Sequence, residues 1–288
     1  MNTRPGQTAQ AGGAGALPPL LGEALRRQQA GDLAGAETLY RRLLAQQPGL
    51  PDALHLLGLV RHQKGDSAAA VPLIEQALAA VPDSAIYRRN LASILASLGR
   101  LGDAAAAYEA VVAQVPEDAA ARASLAELYR RLERLEDAAE HYRVALSSRP
   151  SADWQSALGD VLQQQGALDE AAAAYRAALA LDPGFGIAAS GLGNVLREQG
   201  HLNQALAQCR KAVELVPDYA LAHSDLGYCL QELGRMDEAL AAYRDAIARD
   251  PRLLKPIMKK IPKAPRGRLW LQPSKLKALL LEGDGSAG

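Results

Sequence analysis

The sequence predicts an all-α fold, a solenoid of seven consecutive helix pairs with a C-terminal cap, and three regularities predict it. Prolines stand at Pro48, Pro82, Pro116, Pro150, Pro183, Pro217 and Pro251, 33 or 34 residues apart. Twelve residues before each lies Ala36, Ala70, Ala104, Ala138, Ala171, Ala205 or Ala239, and eight before it Tyr40, Ile74, Tyr108, Tyr142, Tyr175, Cys209 or Tyr243. Further upstream the pairs Leu57-Gly58, Leu91-Ala92, Leu125-Ala126, Leu158-Gly159, Leu192-Gly193 and Leu226-Gly227 recur, each followed seven residues on by Gly65, Gly99, Glu133, Gly166, Gly200 or Gly234. Self-similarity at such a period marks stacked units, none of which buries its apolar face alone.

In chain order, residues 1–16 lack a continuous apolar run and are expected to be disordered. The repeats occupy residues 17–253. In the first, Pro18 and Pro19 open a helix and Glu23 stands at the leucine position, which suits a terminal repeat facing water. Each repeat reads as two helices of about three to four turns, apolar residues recurring at three- and four-residue spacing, with the turn at the glycine. The fourth departs in its turn, where Glu133 stands. The small residue of the first helix is expected against the alanine of the second, with the aromatic filling the space beyond. Proline ends the second helix because it lacks an amide hydrogen and disfavours helical geometry in the residue before it. Residues 254–288 form a capping segment and a basic module. Leu253, Leu254, Ile257, Met258 and Ile261 offer an apolar cover for the last repeat, while Pro256, Pro262, Pro265 and Pro273 break any long helix. One short helix remains open to the stretch from Ser274, its N-cap, to Gly283 beyond its end.

This pattern of leucine, small residue, alanine, aromatic, alanine and proline resembles the tetratricopeptide repeat, over residues 17–253. The resemblance implies a right-handed superhelix whose inner face, built by the first helices, holds extended peptides or partner helices. Two subtypes of the family do not fit. The carboxylate clamp of chaperone-binding members needs Lys and Asn in one first helix, Asn in the next and Lys with Arg in the third, and no three successive repeats provide them. The repeat arms of bacterial-type O-linked N-acetylglucosamine transferases are similar in their leucine-glycine pairs. They carry a ladder of asparagines, however, where this chain has Gly22, Leu56, Asn90, Ser124, Ala157, Gly191 and Asp225. Bacterial relatives of similar pattern precede a glycosyltransferase or sulfotransferase domain, and the 37 residues after Pro251 are too few for either.

Composition excludes more than it assigns. Nine tyrosines and one phenylalanine make a poor globular core, yet five of the tyrosines share one repeat position and are structural. Cys209 and Cys229 fall on helices where other repeats hold core residues, which points to buried free thiols in a reducing, cytoplasmic setting. No leader-like or membrane-length apolar stretch occurs. The stretch from Gly184 to Ala189, GFGIAA, imitates a dinucleotide-binding fingerprint, but a helix precedes it where a strand is needed. His55 and His62 stand two turns apart, about 10 Å, too far for the i, i+4 pairing of helical metal ligands, and read as solvated histidines of the groove. Acid pairs such as Glu136-Asp137 and Asp237-Glu238 open second helices, where they complement the dipole. No residue qualifies as catalytic, cofactor-binding or metal-binding, and no enzyme is expected.

What remains is surface. Placed on the repeat pattern, Arg89 and Asn90 line the groove in the third repeat, and Glu127, Arg130 and Arg131 in the fourth. Asp160 and Gln164 follow in the fifth, Asn194 and Arg197 in the sixth, and Asp225, Tyr228 and Gln231 in the seventh. The formal net charge of zero conceals an asymmetry: residues 252–288 hold nine Lys or Arg against two acids, leaving 23 against 30 in the preceding 251. Lys255, Lys259, Lys260, Lys263, Arg266, Arg268 and Trp270 make up a basic tail whose charge complements Asp160, Glu198, Asp225 and Glu232. The expected function is a non-enzymatic scaffold that takes a peptide or helix of a partner protein in its groove, with its own tail as a second occupant. The alternative is an accessory subunit that recruits substrates to a separately encoded glycosyl- or sulfotransferase. Nucleic-acid or acidic-membrane contact through the tail is disfavoured by the acidic body.

Overall fold

The computed structural model describes residues 19–261 and 273–282, so the disorder expected for residues 1–16 lies outside it. Within the described residues the chain is an all-α repeat solenoid without strands. It divides between Val115 and Pro116 into two compact bodies. The first holds three repeats, α1 (Pro19–Gln29) with α2 (Leu33–Gln46), α3 (Pro51–Gln63) with α4 (Ser67–Ala80), and α5 (Ala85–Ser97) with α6 (Leu101–Gln114). The second begins with α7 (Ala119–Arg131) and α8 (Leu135–Ser148), then α9 (Ala152–Gln164) and α10 (Leu168–Leu181). It continues with α11 (Gly186–Glu198) and α12 (Leu202–Leu215), then α13 (Ala220–Glu232) and α14 (Met236–Arg249). A 3-10 turn (Pro251–Leu253), α15 (Leu254–Lys260) and α16 (Pro273–Glu282) complete it.

Each second helix stops two residues before its proline. At Arg149 (φ −149°, ψ 114°), Asp182 (φ −136°, ψ 96°) and Asp250 (φ −139°, ψ 98°) the residue between takes an extended backbone, which a following proline favours. Side chains cap several helix starts: Asp32 Oδ1 accepts from the Gly35 amide at 2.8 Å and Asp118 Oδ1 from that of Ala121 at 3.0 Å. The turn inside each pair passes through one left-handed residue. Gly31 joins the glycine series, and Glu133 keeps the same conformation at φ 60°, the one non-glycine to do so among the described residues.

Packing refines the role of the small residues. A Cβ on Gly159 would stand 2.8 Å from the Tyr175 ring and one on Gly227 2.4 Å from that of Tyr243. On Gly58 it would meet Ile74 at 2.7 Å before the Ala70 carbonyl at 3.2 Å. The small residue therefore makes room first for the aromatic position and only then for the alanine, the reverse of the expected order, because the ring lies between the two helices. Tyr40, Tyr175 and Tyr243 are fully buried there, and burying a ring of this size stabilises by about 1.5–3 kcal/mol. GFGIAA has a similar explanation: a Cβ on Gly186 would fall 1.9 Å from Val216 Cγ2, so this glycine lets α11 start against the end of α12.

After the last repeat, Ile257 and Ile261 are buried, and α16 packs on α14. Arg244 Nε donates to the Leu279 carbonyl at 2.7 Å, with Leu276 and Leu280 buried alongside. This helix begins at Pro273, one residue before the expected N-cap Ser274, since proline at the first helical position has a suitable φ and no amide to satisfy.

Candidate functional site

In the second body the tyrosines of the second helices reach the polar residues of the first helices from within the core. Tyr142 Oη donates to Glu127 Oε2 at 3.4 Å, Tyr175 Oη to Asp160 Oδ1 at 2.6 Å, and Tyr243 Oη to Gln231 Oε1 at 2.8 Å. The acceptor stands 12 or 15 residues before its tyrosine. Burial pushes all three phenols up, so the hydroxyls stay protonated donors. Core and surface are thus one network, which the repeat pattern hides because it gives the tyrosine ring no direction.

The sixth repeat has Cys209 in place of the tyrosine, and the residues 12 and 15 before it are Arg197 and Asn194. Arg197 pairs along the face: Nη1 donates to Glu232 Oε1 at 2.7 Å, Nη2 lies 3.9 Å from Glu198, and the buried Nε has no partner among the described residues. Asn194 hydrogen-bonds Asp225, and Ser190 Oγ donates to Asp225 Oδ2 at 2.5 Å. Asp225 is only 8% exposed. Burial pushes its carboxyl above the usual range, against the opposing pull of these hydrogen bonds and of the charges on Arg197 and Lys260. Burial acts in the same direction at Asp160, where solvent access to the side chain weakens it. Next to Asp225 on α13, Tyr228 packs edge-on against Tyr243, centroids 5.4 Å apart, and Lys260 Nζ from α15 sits 4.2 Å from the Tyr228 ring centroid.

Several expectations change. Asp225, Tyr228 and Gln231 are buried rather than open to the groove, because hydrogen bonds and the tyrosine rings draw them inward. Arg131 and Gln164 are exposed, while Glu127 and Arg130 are half-buried and paired at 2.7 Å. Arg89 is half-buried on α5 in the first body, where Asn90 Nδ2 donates to His55 Nε2 at 2.8 Å. His55 is not solvated: it stacks on Tyr87 at 4.4 Å, and burial lowers its pKa to about 4. His62 Nδ1 is 2.8 Å from Ser67 Oγ. Both thiols are buried and free, with the sulfurs of Cys209 and Cys229 3.4 Å apart.

Of the four acids expected to receive the tail, Asp225 feels Lys260, but the others take donors from the repeats themselves. Glu232 is held by Arg197, Glu198 accepts from Gln163 Nε2 at 2.8 Å, and Asp160 is bound by Tyr175. Lys255 and Lys259 are exposed on α15, whereas Lys263, Arg266, Arg268 and Trp270 lie outside the described residues. Among the described residues no group of three or more His, Cys, Asp or Glu is placed to hold a metal ion, and no helix is long and apolar enough to cross a membrane.

A family model for the tetratricopeptide repeat matches residues 21–85, 56–119, 89–153, 125–185 and 190–253. No curated protein matches the chain. A solved tetratricopeptide repeat protein from Parabacteroides merdae is similar with a TM-score of 0.66 and 19% identity, over 83% of this chain and 96% of its own. YrrB, described as a TPR protein with an unusual peptide-binding site, matches at TM-score 0.51 and 24% identity, over 62% of this chain and 92% of its own. A chain of the APC/C hetero-tetramer Cut9–Hcn1 matches at 0.59 and 16%, over 86% of this chain and 50% of its own. At these identities the likeness is one of fold.

Proposed function

The chain belongs to the tetratricopeptide repeat family, and on that premise we propose that it is a cytoplasmic, non-enzymatic scaffold holding a segment of a partner protein against the face built by its first helices. The observation that carries this reading is the row of polar side chains that successive first helices of the second body present, Arg131, Gln164, Asn194 and Arg197. Proteins of this repeat family are generally non-catalytic scaffolds, and the fold neighbour YrrB is described with a peptide-binding site. The exposed polar side chains of Arg131 and Gln164, with half-buried Asn194 and Arg197, supply hydrogen-bonding groups for a main chain laid across them. Free, buried thiols suit a reducing compartment.

The test is site-specific photo-cross-linking in cells, with the reactive group at Gln164 on α9 or at exposed Arg176 on α10. Reproducible capture of one partner peptide at Gln164 and none at Arg176 is expected. Equal capture at both, or none at either, would overturn the reading.

A further inference from the structure

The first helices of the last three repeats differ from those before them in charge. Together α9, α11 and α13 carry Asp153, Asp160, Glu198, Asp225 and Glu232 against a single cation, Arg197, and no lysine. Two groups on this face are incompletely satisfied. Asp225 is a buried carboxylate held by the neutral donors Ser190 and Asn194. Arg197 lies within Coulombic reach of both Asp225 and Tyr228, and its Nε–H is buried without a partner among the described residues. A buried donor left unpaired is a standing cost that an incoming acceptor removes.

One cation enters from outside the repeats. Lys260 places its ammonium over the Tyr228 ring, within reach of the Asp225 charge. The lysine itself is exposed, unlike Ile257 and Ile261, which hold α15 in place. An exposed cation–π contact is weak, so the side chain can swing away without undocking its helix. A compact ammonium also suits this spot better than a second guanidinium, because Arg197 already fills the adjoining space with its planar fork.

We propose that Tyr228 and Asp225 form a lysine subsite, filled by Lys260 in the isolated chain, and that the partner enters as a net-basic, extended segment whose own lysine displaces it. Arg197 Nε then donates to a main-chain carbonyl of that segment. This rests on the scaffold reading above and specifies the chemistry of its partner. The acidic face attracts the segment, the subsite fixes its register, and Lys260 screens out segments without a lysine to offer.

The test uses the full chain and a fluorescent, net-basic synthetic peptide without helix propensity and with one central lysine, Arg-Ser-Gly-Lys-Gly-Ser-Arg, in parallel with the same peptide carrying alanine in place of that lysine. Anisotropy titrations should show the Lys260→Ala chain binding the first peptide at least fivefold more tightly than the unaltered chain, and the alanine peptide at least fivefold more weakly than the first. In the Lys260→Ala background, Tyr228→Leu and Asp225→Asn should each reverse the gain while Tyr228→Phe keeps it, with helical circular dichroism unchanged. Equal binding of the two peptides overturns the subsite but leaves the scaffold reading standing. Equal binding by the Lys260→Ala and unaltered chains overturns the displacement. Absence of binding by either peptide overturns the whole proposal, and the Gln164 cross-linking then decides separately whether the scaffold reading falls with it.

Discussion

In the first body the buried carboxylate is Glu37, and three cations surround it: Lys64 Nζ at 2.6 Å, Arg41 at 2.9 Å and Arg61 at 3.0 Å. In the second it is Asp225, held by a hydroxyl and an amide. The hydrogen bond from Lys64 and the charges around it hold Glu37 below the usual carboxylate range, whereas burial pushes Asp225 above it. The first helices differ in the same sense. Those of the first body carry Arg26, Arg27, Arg61, Arg88 and Arg89 against Glu23 and Asp52, and α7, which opens the second body, carries Arg122, Arg130 and Arg131 against Glu127, so the balance reverses only on α9, α11 and α13. Both bodies nevertheless build the same helix pairs around the same alanine and aromatic positions. The fold constrains small residues and rings, leaves charge free, and so lets one scaffold present faces of opposite sign.

The largest test of this comparison is acid. His55, stacked on Tyr87 and hydrogen-bonded by Asn90, titrates near 4 instead of 6.5 because burial disfavours its cation, with Asp52 opposing weakly. The unfolded chain therefore takes up a proton first. The contribution is intact above about pH 6.5 and is lost as pH falls towards 4, by about 3 kcal/mol. Glu37, lowered as well, adds a loss of the same sign at lower pH. Asp225 acts oppositely: its folded pKa is raised, so its contribution is lost as pH rises through the carboxylate range and is regained on acidification. Hydrogen exchange, corrected for intrinsic rates, should show α3 and α5 losing protection between pH 6.5 and 4 while α11 and α13 hold or gain, and His55→Phe should flatten the first trend. Parallel loss in both bodies would break the comparison.

A smaller effect sharpens it by mutation. Glu37→Gln leaves three cations around a neutral amide and should destabilise by about 1–2 kcal/mol, discounted because Arg41 and Lys64 are partly exposed. Asp225→Asn removes a poorly compensated buried charge while its carbonyl still accepts from Ser190, and should stabilise by about 1 kcal/mol at neutral pH. Thermal melts at pH 7 should shift in opposite directions. A stabilising Glu37→Gln or a destabilising Asp225→Asn would show that local packing, not charge pairing, sets these sites.

The helix pairs were legible because proline, glycine and alanine constrain backbone geometry whatever surrounds them. The site was legible only by position. Asp160 and Asp225 both read as groove acids, yet they stand at different repeat positions, one after and one before the leucine-small pair, and only Asp225 is turned from solvent, where it meets Ser190 and Asn194 from the preceding repeat. From its own repeat alone His55 reads as solvated, because its stacking partner Tyr87 lies in the next repeat. The offset from each tyrosine to its acceptor was present in the sequence, and reading the ring as a donor as well as a core group would have exposed it.

The smallest effect concerns the turns. The first body closes its three pairs through Gly31, Gly65 and Gly99 at φ 83°, 87° and 76°, and the second uses glycine at three of four, with Glu133 at φ 60°. A side chain in the left-handed region costs about 1–2 kcal/mol. Glycine gives back about 0.4–1 kcal/mol of that through its greater freedom in the unfolded chain. Glu133 is exposed, and its backbone amide still donates to the Arg130 carbonyl at 3.1 Å, so the turn itself is intact. Glu133→Gly should therefore stabilise the second body by about 0.5–1 kcal/mol, and Gly166→Glu should destabilise it by a similar amount, both read by calorimetry. If Gly166→Glu melts where the unaltered chain does, the left-handed turn is not what selects glycine in this series, and Glu133 stops being the exception that distinguishes the fourth repeat.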